Sequence, residues 1–243
     1  MSEKTVQQPV RGIVTVGMTA WEQRLADGTA VYPEPVAEWV KLQLTKKASV
    51  RTGRVSPSSA GSCLRRQMLS YYGAPQVSPP LSAQALMDMG TWAHLRWQAA
   101  GLSQGFLQTA EVPVGDDRVW GHMDGVLSDG TGFELKTTGA RNFDARMVHG
   151  PDKKHLLQIY LYQYLSGINM FSLVYACRAS GDYTEYLVPS TEETREIALS
   201  VIGILTAHID GGTIPEMLPK CVKEVGQEFQ SCPFRLSCSQ FNH

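Results

Sequence analysis

One stretch constrains this chain more than any other: Gly121-His122-Met123-Asp124-Gly125-Val126-Leu127-Ser128-Asp129-Gly130-Thr131-Gly132-Phe133-Glu134-Leu135-Lys136-Thr137-Thr138. β-forming residues run up to Leu127, Ser128-Asp129-Gly130-Thr131 carries turn chemistry, and Phe133 to Thr138 alternates apolar with polar, so the stretch reads as a β-hairpin. Alternation puts Phe133, Leu135 and Thr137 on one face of the second arm and Glu134, Lys136 and Thr138 on the other. Asp124 comes a few residues before the turn and Glu134 a few residues after it. The two carboxylates are therefore expected nearly opposite one another across the ladder, sharing a polar face with Lys136.

Two carboxylates that close repel each other, and a fold keeps them only if something neutralises the pair. A divalent cation does this; hard oxygen donors with room for water suit Mg²⁺ or Mn²⁺, and a nearby lysine can position or acidify a metal-bound water. An ordinary solvent-facing hairpin carrying a Glu and a Lys is the plainer alternative for these residues alone.

The 243 residues, 43% hydrophobic and 19% charged, suit one compact α/β domain, alone or with a small appended module. No apolar run is long enough to span a bilayer and residues 1–11 lack the apolar core of a signal peptide, so a cytoplasmic protein without membrane contact is expected. A formal charge of -1 gives no global attraction for nucleic acid, which leaves any such contact to a local patch. Five cysteines in a reducing compartment point to metal ligands, buried apolar groups or catalytic thiols rather than disulfides.

Residues 1–8 are expected to be disordered, residues 12–32 show no pattern, and 35–47 reads as a helix burying Val36, Trp39, Val40 and Leu44. Ser56-Pro57-Ser58-Ser59 opens a helix running to about Tyr72 and containing Cys63-Leu64-Arg65-Arg66. A second helix covers 81–100 and is closed by Gly101; within it Gly90 and His94 share a face, and a glycine there suggests close approach of another element. A strand at 106–114 precedes the hairpin. Beyond it come a helix at 152–167 with the stripe His155, Gln158, Tyr162, strands at 170–179 and 183–188 with Cys177 in the core, and a helix at 191–210. The order fits a mixed central sheet covered by helices. The tail, 211–243, carries Cys221, Cys232 and Cys238 in a segment too short to build a core, which a cluster or metal would staple. The expected division is 1–55, an N-terminal segment with one helix; 56–210, the core; and 211–243, the cysteine-rich tail.

Four motifs, Gly90-x-x-x-His94, Gly121-His122-Met123-Asp124, Glu134-Leu135-Lys136 and Gln158-x-x-x-Tyr162, occur in the order and approximate spacing found in RecB-type nucleases of the PD-(D/E)xK superfamily, which the chain resembles from Ser56 to Cys238. With Cys63 and the three tail cysteines it is similar to that branch's iron–sulfur members: CRISPR-associated RecB-like exonucleases, the AddB nuclease domain and related phage exonucleases. One departure is the ten residues between Cys221 and Cys232, where the usual pattern has two.

The resemblance implies a restriction-endonuclease-like α/β core and a metal-dependent DNA exonuclease. His94, Asp124, Glu134 and the Leu135 carbonyl would bind Mg²⁺ or Mn²⁺, and Lys136 would orient the attacking water. Gln158 and Tyr162 would contact DNA or steady the site. Separately from the resemblance, so small a net charge leaves binding to a local lane that Arg65, Arg66, Lys136, Arg141, Lys153 and Lys154 could line, with Tyr162 available to stack on a base, and such a lane favours single-stranded DNA. Cys63, Cys221, Cys232 and Cys238 would hold a [4Fe–4S] cluster joining an N-terminal helix to the tail; structural Zn²⁺ suits four thiolates equally. DNA recombination, repair, phage DNA metabolism and CRISPR adaptation are the settings implied, with protein partners from recombination or CRISPR adaptation. A catalytically silent DNA-binding or assembly factor on the same fold and a sequence-specific endonuclease are the competing readings.

Overall fold

A computed structural model describes residues 7–46, 53–223 and 227–241. Most of the segment expected to be disordered, 1–6, and the last residue of the first expected helix lie outside these. The chain builds a five-stranded mixed sheet in sequential order: β1 (Leu107–Gly115), β2 (Trp120–Leu127), β3 (Gly132–Thr138), β4 (Met170–Cys177) and β5 (Tyr183–Pro189). Neighbours are antiparallel except β3 and β4, which run parallel because two helices, α5 (Ala140–His149) and α6 (Lys153–Ser166), carry the chain back between them. The turn between β2 and β3 forms as its residues dictate. Gly130 takes a φ of 85° and Asp129 Oδ1 accepts from the Thr131 amide at 2.9 Å.

One face of the sheet is covered by α1 (Ile13–Ala26) and α4 (Leu81–Gln104), where Val14, Met18, Trp21 and Trp97 pack against Leu127, Phe133, Leu135 and Val174. The other is covered by α5 and α6, where Phe143, Ile159 and Tyr162 meet Met123, Phe171, Leu173 and Tyr175. Each large side chain removed from water in these layers contributes about 2 kcal/mol. Helix α7 (Glu192–Asp210), capped by Thr191 accepting from the Thr194 amide, packs on α6 and on α3 (Leu64–Tyr71). Among the described residues of segment 1–55 there are two helices, α1 and α2 (Glu34–Thr45), where one was expected. The Val14, Met18, Trp21 stripe that buries α1 was overlooked because its intervening residues are themselves apolar or small. In α2 only Val36 is buried, and Leu44 is exposed.

The region around Cys63 differs from its expected single helix. Pro57–Ser59 is one 3₁₀ turn, the chain then loops, and Cys63 is the N-cap of α3 rather than an interior residue. Helix α4 runs through Gly101 and stops at Gly105, whose φ of 73° forms a left-handed cap. Gly101 is the close-packing glycine, since a Cβ there would lie 2.8 Å from Leu107 Cβ, whereas one on Gly90 would meet only Thr137 Oγ1 at 3.7 Å. The tail returns to α3: the Val77 amide donates to the Pro233 carbonyl, Ser237 Oγ donates to the Pro75 carbonyl, and Phe234 and Cys238 bury against Leu69 and Ala74. Before these contacts it passes through α8 (Pro219–Val222) and α9 (Gln227–Gln230).

Candidate active site

The expected hairpin unzips where its acids lie. Ladder pairing between β2 and β3 covers Gly125 with Phe133 and Val126 with Gly132, and goes no further. Past that point the Asp124 side chain replaces the missing backbone acceptor, its Oδ2 taking the Leu135 amide proton at 2.7 Å. The gap lets both helical layers reach one place. From α4, His94 Nδ1 bonds Asp124 Oδ1 at 2.9 Å, and Gln98, one turn on, donates to the Asp124 carbonyl at 2.9 Å. From α6, Gln158 Nε2 donates to Glu134 Oε1 at 2.7 Å while its own Oε1 accepts from Lys136 Nζ at 2.8 Å. Lys136 Nζ also donates to Glu134 Oε1 at 2.6 Å. Tyr162, one turn beyond Gln158, accepts from Gln158 Nε2 at 3.1 Å and donates to the His122 carbonyl at 2.7 Å, tying α6 to β2.

Electrostatics divide the two acids. Burial pushes the Asp124 carboxyl up, yet His94, Lys136 and the Leu135 amide together hold it below the ordinary range. Burial and the nearby Asp124 charge push Glu134 up to about 7 against the pull of Lys136. For His94, burial opposes protonation, but the Asp124 carboxylate prevails and the pKa rises. Burial likewise opposes the charge on Lys136, and Glu134 and Asp124 outweigh it to raise the pKa.

Glu134 is 3% exposed, and its Oε2 is a buried oxygen with no hydrogen-bond partner. Such an atom costs roughly 1–3 kcal/mol unless something else occupies its lone pairs. Among the described residues no three His, Cys, Asp or Glu side chains converge closely enough to cage an ion. Mg²⁺ does not require a cage: it takes one or two carboxylates and fills its shell with waters and substrate oxygens. The donor set at Asp124 and Glu134 fits that habit.

Two residues expected to line a DNA path are buried. Tyr162 is 2% exposed and committed to the hydrogen bonds above, so it is not available to stack on a base. Arg65 is 3% exposed; its Nε donates to Cys238 Sγ at 3.2 Å, and its terminal nitrogens donate to the carbonyls of Pro215 and Cys238. It locks the tail onto α3 instead. Arg66, Arg141, Lys153 and Lys154 are exposed, and Arg66 and Lys154 border the cysteines. Cys63, Cys221, Cys232 and Cys238 all line one cavity of about 400 Å³, together with Arg65 and Leu69. Cys177 is buried in β4.

Two contributors were overlooked in the sequence. Gln98 was signalled by the His94-x-x-x-Gln98 spacing, which repeats that of Gly90 and His94. Glu111 accepts from Gln98 Nε2 at 2.9 Å and holds a φ of 55°, unusual outside glycine. His155 bonds Tyr175 Oη at 2.8 Å, and burial followed by Lys136 depresses its pKa to about 4. Glu111 carries no local sequence signal, whereas His155 belongs to the stripe with Gln158 and Tyr162 that the sequence shows.

No protein-family model matches the chain, and no curated protein does. Among solved structures it is similar to the crystal structure of SSO0001, with a TM-score of 0.51 and 16% identity over 86% of this chain and 95% of that one. LHK-Exo, an alkaline exonuclease from Laribacter hongkongensis, aligns at a TM-score of 0.45 and 14% identity over 72% of this chain and 95% of that one. The LHK-Exo complex with dAMP aligns at 0.48. The likeness to SSO0001 is one of fold. No described helix is long and apolar enough to cross a membrane.

Proposed function

We propose that this chain is a metal-dependent deoxyribonuclease that hydrolyses phosphodiester bonds from the ends of single-stranded DNA. The observation that carries the reading is the partnerless buried Glu134 Oε2 beside Asp124 and Lys136. A fold that spends two buried acids and leaves one oxygen unused suits a cation better than a structural ion pair. Mg²⁺ or Mn²⁺ held by Asp124 and Glu134, with His94 and the Leu135 carbonyl, would supply a water of lowered pKa and neutralise charge on the attacked phosphate. Lys136, fixed between Glu134 and Gln158, brings a positive charge to that phosphate without reorganising. Gln158 and Tyr162 hold the lysine in place, while the Leu135 amide, His94 and Gln98 fix Asp124.

The reading extends to an iron–sulfur cluster bound by Cys63, Cys221, Cys232 and Cys238. Support comes from four thiols lining one cavity that joins α3 to the tail. Four thiolates suit tetrahedral Zn²⁺ as well as a [4Fe–4S] cluster, and the metal content of the purified protein separates the two.

The test is a time course with Mn²⁺ on end-labelled linear single-stranded DNA beside a closed single-stranded circle. Loss of the linear strand alone is expected. Equal cleavage of the circle would make the protein an endonuclease, and binding without cleavage would favour a silent assembly factor.

A further inference from the structure

Burial of Tyr162 leaves the proposed single-strand lane without its expected stacking platform, and β2 offers another. Between Trp120 and Met123 the pairing of β2 with β1 is regular, so successive side chains alternate between faces, and it lapses at Asp124, opposite Glu111 with its φ of 55°. Trp120 and His122 therefore share a face of the strand that leads to Asp124, while Gly121 and Met123 are buried. The Trp120 and His122 rings pack edge to face at 4.4 Å, both half-buried, and across the ladder Pro113 and Gly115 stand exposed opposite them with no bulk to cover them. Arg54 lies over the Trp120 ring at 5.2 Å, held there because Val55 and Trp120 bridge through the Trp120 amide and the Val55 carbonyl. Two aromatic rings and a guanidinium thus lead along one strand to a candidate metal ligand.

We propose that Trp120 and His122, flanked by Arg54, stack the bases of a single DNA strand whose phosphate reaches the Asp124–Glu134 site. The inference rests on the nuclease reading above and names how that site takes its substrate. Asp124 lies four positions along the chain from Trp120, roughly 13 Å, room for about two unstacked nucleotides between the platform and the acids. Aromatic planes are sequence-tolerant because every base has a π-face, and the arginine adds a contact to ring or phosphate. A paired duplex has no free base faces to offer.

The experiment uses full-length protein carrying Asp124→Asn, so that DNA stays intact, with fluorescein-labelled dT12 followed by anisotropy. Adding Trp120→Ala is expected to weaken binding at least about fivefold, and Trp120→Phe to restore it to within about twofold. Trp120→Leu keeps apolar bulk without a stacking plane, should match the alanine loss, and serves if the alanine protein does not fold. An abasic block moved along dT12 should find a window that weakens the Asp124→Asn protein but not its Trp120→Ala or Trp120→Leu derivative, a coupling that a merely structural tryptophan would not produce. Unchanged affinity in those derivatives, or undiminished sensitivity to the abasic block, overturns the platform. So does an equal loss for a blunt duplex of the same length. Failure of both the Asp124→Asn and the unsubstituted protein to bind dT12, with no cleavage by the latter, would instead sink the nuclease reading itself and the platform with it.

Discussion

Glu134 and Lys136 are bonded to each other and share Gln158, so their substitutions should separate holding a cation from using it. Glu134→Gln keeps the shape and removes a buried carboxylate; the metal-free protein is expected to melt no lower than wild type, while Mn²⁺ affinity measured calorimetrically and DNA cleavage are both lost. Lys136→Ala is expected to keep Mn²⁺ and DNA binding and lose cleavage by about 100-fold or more. Wild-type turnover in that variant would contradict the role given to the lysine. His155 gives a pH signature. Its pKa falls from the ordinary 6.5 to about 4 on folding, so the unfolded chain binds the extra proton between those values. The stabilisation is therefore complete above pH 6.5 and lost as pH falls towards 4. His155→Gln should flatten the decline in melting temperature across that window, and an unchanged slope would place the acid sensitivity elsewhere.

The helices show why some of this architecture was legible in the chain and some was not. The order of the five strands, helices α4, α6 and α7, the faces of β3, and the meeting of His94, Asp124, Glu134, Lys136 and Gln158 followed periodicities or motifs in the chain, whereas α1 and α5 were not read from it. Nor was which glycine serves close packing, because that depends on where β1 begins after α4. Gly101→Ala is expected to destabilise by about 2 kcal/mol, since its Cβ would press on Leu107 Cβ and the Phe106 ring, whereas Gly90→Ala should be neutral or stabilise by up to about 1 kcal/mol. Thermal melts of the two variants decide it. Arg65 could not be read from sequence either. A basic residue beside Cys63 suggests a DNA contact until tertiary structure brings Cys238 and Pro215 around its guanidinium. Arg65→Gln should leave those carbonyls buried without their charged donor, lowering the melting temperature and loosening the tail, which limited proteolysis would detect.

Across the whole molecule, a sheet closed at its β2–β3 hairpin would have been the simpler fold, and here it is left open where two helical layers deliver residues from opposite faces. On one side His94 and Gln98 hold Asp124, on the other Gln158 and Tyr162 hold Glu134 and Lys136, and the cysteine-lined cavity draws the tail back onto α3. Anaerobically purified protein should be brown, with thiolate-to-iron absorption near roughly 400 nm that is lost on replacing Cys63, Cys221, Cys232 or Cys238 and kept in Cys177→Ala. Colourless protein with stoichiometric zinc would contradict the cluster. The central claim is that the Asp124–Glu134 pair exists to hold a divalent cation for hydrolysis. Its most direct measurement is isothermal titration of the metal-free protein with Mn²⁺, paired with cleavage of linear single-stranded DNA in the same buffer. The account predicts saturable binding and metal-dependent cleavage in wild type, and loss of both in Asp124→Asn and Glu134→Gln. Cleavage that persists in chelator, or Mn²⁺ binding undiminished in both variants, would contradict it.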